Sequence, residues 1–96
     1  RVPAADRALV ENRLRWLQRL ATGKRQTSTA EKAKIEMAIH MADEALRQGR
    51  VWRARTAMEH NSLLAIYRRL DCYPPNLFAG KETPSVCDPD AEVTKP

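Results

Sequence analysis

Between Pro3 and Pro74 the chain runs for seventy residues without a proline and with only two glycines, Gly23 and Gly49. A stretch so free of breakers, with leucines and alanines recurring every three or four residues, is built for helices and little else. The two glycines then punctuate it into three segments.

The first predicted helix covers 6–21, with Asp6 as its cap and Thr22-Gly23 as its stop, Gly23 taking the left-handed position. Its apolar positions, among them Leu9, Val10, Leu14, Trp16, Leu17 and Leu20, spread over about 160° of one face. Arg13 falls inside that arc. The second helix covers 29–48. Ser28 and Glu31 stand at the spacing of a capping box, in which each side chain satisfies the other's backbone N–H. Ile35, Ala38, Ile39, Ala42, Ala45 and Leu46 form its seam, and Met37 and Met41 widen the apolar surface on one flank.

After Gly49, a third helix is predicted over 51–70 with two apolar stripes. Val51, Ala54, Ala57, Met58, Leu64 and Ala65 make one; Trp52, Leu63, Ile66 and Leu70 make the other. A helix apolar on two sides belongs in the middle of a bundle. Helices two and three therefore read as an antiparallel hairpin, with helix one and the tail over the remaining faces. The phrase from Ala45-Leu46 through Gly49 to Ala54 and Ala57 resembles a tetratricopeptide helix pair, but it occurs once and such repeats need neighbours.

From Asp71 onward the pattern changes, for five of the six prolines lie beyond it. Leu77, Phe78 and Val86 are the apolar anchors of an irregular loop over 72–87, and 88–96 reads as a disordered tail. Cys72 and Cys87 bracket the loop. Their spacing is too wide for a redox pair, and two cysteines with two distant histidines are too few for zinc. A disulfide closing this loop contributes about 3 kcal/mol, a useful amount for one small domain. The bridge carries a periplasmic or extracellular address with it. A secretory address in turn carries the expectation of a cleaved leader ahead of Arg1, and of any lipid anchor lost with it.

The fold class expected is thus all-α, a small three- to four-helix bundle with a disulfide-tethered, Pro-rich tail, one domain over 1–87. No apolar run reaches the length of a membrane span.

Function is less constrained. Residues 1–71 hold 15 Lys and Arg against 8 Asp and Glu; residues 72–96 hold 2 against 4. The basic body suits an acidic protein patch, nucleic acid or anionic lipid. Arg47, Arg50, Arg53 and Arg55 crowd the hairpin turn beside Trp52, the kind of cluster that follows phosphates, although Trp52 sits in an apolar stripe and reads as core. Met37, His40 and Met41 share one helix flank and have donor types that suit copper, but a gap-filling methionine pair beside a surface histidine explains them better. No nucleophile elbow or phosphate loop is present. The expectation is a non-enzyme with neither cofactor nor metal.

The first function expected is a protein-binding module of the periplasm or extracellular space: an adaptor, chaperone, inhibitor or secretion-system accessory. Its partner face is expected on helix one, at Leu9, Arg13, Trp16 and Leu20, because a charge in a wide apolar arc fits an interface. The partner is another protein or a second copy of the chain. The alternative is a polyanion binder using the basic turn. In size and layout the chain resembles the small disulfide-closed helical pilotins of bacterial secretion systems, a likeness of architecture without a shared motif.

Overall fold

The computed structural model describes residues 4–75 and 87–90. It is all-α, with four helices among those residues: α1 (Ala4–Thr22), α2 (Thr29–Arg47), α3 (Val51–Met58) and α4 (Asn61–Leu70). None is long and apolar enough to cross a membrane.

Local chemistry sets most of the boundaries. α1 begins at Ala4, so Asp6 lies inside the first turn, complementing the positive end of the helix dipole instead of capping it. At α2 the capping box forms in full: the Ser28 N–H donates to Glu31 Oε1 at 2.9 Å, and the Glu31 N–H donates to Ser28 Oγ at 3.1 Å. α2 ends in a Schellman turn. Gly49 takes φ +74°, its N–H donates to the Leu46 carbonyl, and the Arg50 N–H donates to that of Ala45. That turn reverses the chain, and α3 packs back along α2 as the expected hairpin. α4 closes with the same pair of bonds, Asp71 N–H to Arg68 and Cys72 N–H to Tyr67, except that the left-handed residue is an aspartate at φ +50°.

The predicted third helix is two. α3 stops at Met58 and α4 starts at Asn61, with an elbow at Glu59-His60. The elbow is closed on both sides: the buried Tyr67 hydroxyl donates to the Met58 carbonyl at 2.9 Å, and His60 caps α4 by accepting the Ser62 N–H. The elbow also resolves the two stripes. Val51, Ala54 and Met58 are the buried face of α3, while Leu63, Ile66 and Tyr67 are that of α4. The two faces differ in phase because the helix is broken between them. Trp52 belongs to neither and is 63% exposed. The central element is accordingly α2, which packs against all three other helices. Its small residues Ala38, Ala42 and Ala45 are buried and permit close approach, and Ile35 is fully enclosed.

The tail returns to α1. Cys72 and Cys87 are bonded, with their Cα atoms 5.2 Å apart. The Trp16 Nε1–H donates to the Cys87 carbonyl at 3.0 Å. Arg19 then holds both following carboxylates, Asp88 at 2.9 Å and Asp90 at 2.8 Å, and Arg25 donates to the Asp88 carbonyl. Pro89 is buried between them. Residues 88–90 are thus a strap on α1, in place of the disorder expected there. Gly23 makes room for it without a left-handed backbone: a Cβ on Gly23 would lie 2.7 Å from the Pro89 carbonyl oxygen. The loop expected to be anchored by Leu77, Phe78 and Val86, and the tail over 91–96, lie outside the described residues.

Candidate functional site

The helix-one face expected to meet a partner is interior. Arg13, Trp16 and Leu20 are 3%, 5% and 2% exposed, and of the four residues assigned to that face only Leu9 reaches solvent substantially. The wide arc is covered because the elbow and the strap add surface that three straight helices lack. Arg13 Nη1 donates to Glu59 Oε2 at 2.6 Å, so the charge in the arc has its partner at the elbow. Trp16 is sealed by the strap and meets Tyr67 edge to face, with centroids 5.7 Å apart. Burial holds the Tyr67 phenol far above the usual tyrosine pKa, with Glu59 adding to the rise and Arg13 opposing it.

The basic turn is partly spent internally. Arg47 is paired with Asp43 at 3.1 Å. Arg55 donates to the same Glu59 oxygen that Arg13 holds, at 2.9 Å, and its guanidinium lies 5.0 Å from the Trp52 ring centroid. Arg50 and Arg53 remain exposed. At the far end of the bundle, Arg69 grips Glu31 with two hydrogen bonds of 2.5 and 2.6 Å. That contact, with the Ser28 backbone bond, lowers the Glu31 pKa to about 2.

A different surface has the features of a site. In the angle between α2 and the elbow lies an apolar groove of about 450 Å³. Ala33, Lys34, Met37, Ala38 and Met41 line it from α2, Ala57 from α3, and His60, Ser62 and Leu63 from the elbow and the start of α4. Met37 is 59% exposed and Met41 52%, an adjacent i, i+4 pair. The groove exists because the elbow turns the chain beside the methionine flank. Half of it was legible, as the methionines widening α2. The other half was not, because the break at Glu59-His60 has no proline or glycine to announce it.

His60 joins Met37 and Met41 at this groove, whereas His40 is not among its lining residues. The His60 Nδ1 accepts the Ser62 N–H at 3.2 Å and lies 2.9 Å from Ser62 Oγ, which puts the ring proton on Nε2. Two thioethers and one imidazole already committed to a helix cap make a soft, adaptable, largely apolar lining. Among the described residues, no three His, Cys, Asp or Glu side chains are grouped to hold a metal ion. No family model matches the chain, and no curated protein or solved structure is significantly similar to it.

Proposed function

We propose that this chain is a non-enzymatic protein-binding module of an oxidising compartment, the periplasm or the extracellular space, in the manner of an adaptor, chaperone, inhibitor or secretion accessory. Its docking surface is the groove between α2 and the elbow. The observation that carries this reading is the exposed Met37–Met41 pair beside an apolar recess of about 450 Å³. Isolated exposed apolar residues are ordinary, but two adjacent ones opening onto a preformed groove favour a partner over solvent. The Cys72–Cys87 bridge supports the compartment, since such bonds persist where thiols are not kept reduced.

The test is site-specific photocrosslinking in cells of the source organism. A photoreactive residue at Met41 gives a discrete protein adduct, while the same residue at Glu36, about 140° farther round α2, does not. Equal yields of diffuse adducts from both positions would sink the reading.

The exposed Trp52 favours a second reading, in which bases or other planar anions stack on Trp52 beside Arg50, Arg53 and Arg55. Oligonucleotide binding that weakens steeply with salt and is lost in Trp52→Ala would support it.

A further inference from the structure

The groove has a length, a charge and a chemistry, and together they describe its occupant. Its α2 wall from Ala33 to Met41 extends about 12 Å along the helix axis. Anchors at i, i+4 and i+7 of another helix span about 10.5 Å, the same reach. Extended peptides dock by adding to a sheet edge or, as polyproline helices, in grooves lined by aromatic rings, and the residues lining this groove include neither a strand nor a Phe, Tyr or Trp. The rim is basic. Lys34 lines one side, and Arg53 stands exposed one turn before Ala57 on the same face of α3. His60 closes the end. Among the described residues, no acidic side chain lines the groove. Farther along α2, beyond the Met41 end, Arg47 pairs with Asp43, and Glu44 accepts from the Gln48 amide and keeps its charge.

Resting on the docking surface proposed above, we infer that the partner presents an amphipathic helix whose apolar stripe is flanked by acidic residues. The stripe seats between Met37, Met41 and Ala57, and the flanking carboxylates meet Lys34 and Arg53. The flexible thioethers reshape around Leu, Ile or Phe anchors with little strain, so the groove selects by charge pattern more than by side-chain shape. A second copy of the chain is disfavoured. Its net charge is +5, and a two-fold pairing through this groove would bring each rim of cations onto its own copy.

Three labelled peptides of about 15 residues test the inference by fluorescence anisotropy with the full chain. One carries leucines at i, i+4 and i+7 flanked by glutamates. The second replaces the glutamates with lysines. The third scrambles the order of the first. The glutamate-flanked helix should bind at least about tenfold more tightly than either of the others. The double variant Met37→Glu, Met41→Glu should lose that affinity by about tenfold or more. All the positions changed are exposed, so unchanged helical circular dichroism will show that folding is kept. The variant Lys34→Glu, Arg53→Glu should reverse the preference toward the lysine-flanked peptide, an outcome a merely sticky surface would not give.

Equal binding of all three peptides would overturn the inference, as would binding that survives both methionine changes. Dimerisation in sedimentation that Met41→Glu abolishes would overturn it in favour of self-association. If no peptide binds while Met41 still crosslinks to one protein, the acidic-helix inference falls and the docking surface stands. If the crosslink also fails, the docking surface falls with it.

Discussion

Arg13 and Glu59 are 46 positions apart in sequence and 2.6 Å apart in the fold, and their contact joins the middle of α1 to the elbow between α3 and α4. The arginine side chain is 4% exposed and the glutamate 26%, so the pair is desolvated mainly at its basic end.

Breaking such a pair costs more than it contributes, because the buried charge loses its counter-charge. Arg13→Glu sets two carboxylates against each other and should destabilise the domain by about 3 kcal/mol or more. Arg13→Met should cost less than Glu59→Leu, since Arg55 still holds Glu59 after the first change, while the second takes the carboxylate from a buried guanidinium. Urea denaturation of the three variants checks the order. An unchanged midpoint for Arg13→Glu would contradict the contact.

Gly23 is required by the strap and by the last turn of α1, not by a left-handed backbone. Its Cβ would meet the Pro89 carbonyl oxygen at 2.7 Å and that of Arg19 at 2.8 Å. Gly23→Ala should cost about 1–3 kcal/mol and loosen residues 87–90. Trp16 reports the loosening, because its indole N–H is bonded to Cys87. In a Trp52→Phe background, acrylamide quenching of Trp16 should rise in the alanine variant. Quenching at the parent level would show that the strap tolerates a methyl group.

Asp71 occupies the left-handed region at φ +50°, where a side chain is strained and glycine is not. Asp71→Gly should stabilise by about 1 kcal/mol, a rise of about 4–8 °C in Tm for a domain of this size. A lower Tm would mean that the aspartate side chain contributes more than its backbone strain costs.

Arg69 and the helix cap lower the Glu31 pKa from 4.5 to about 2. Since the folded value lies below the unfolded one, the carboxylate stabilises the fold fully above pH 4.5, and that contribution disappears as the pH falls toward 2. Glu31→Gln has no such group to titrate. Thermal melts at several pH values in that window should therefore fall more steeply for the parent chain than for the variant. Parallel curves would remove Glu31 from the acid limb.

What the sequence discloses and what it hides divide by range. The α2 cap was readable because Ser28 and Glu31 are three residues apart, and the α2–α3 turn because Gly49 marks it. The disulfide was readable from the company its cysteines keep. The elbow at Glu59-His60 was not, since Arg13 reaches it from α1 and the Tyr67–Met58 bond forms only once the helix has broken. Its trace in the sequence is the pair of stripes over 51–70, a change of phase that signals a break as readily as a central helix. Arg13 stood out as an anomaly in its arc, but a lone charge among apolar positions fits an interface and a buried ion pair equally well. Only the position of Glu59 decides between them. The groove inherits this blindness, being formed by the elbow that local signals do not mark.

The strap also bears on the order in which the molecule can be completed. Trp16 meets Cys87 and Arg19 meets Asp90 across 71 residues each, so α1 cannot acquire its last covering until residues 87–90 are available. A ribosome releasing the chain from its N-terminus delivers α1 before the strap that covers it. Until then, the indole of Trp16 lacks its acceptor and the neighbouring apolar face lacks a cover. Closure of that long loop places the slow, topologically distant step at the end of folding, after the local α2–α3 pairing is already possible.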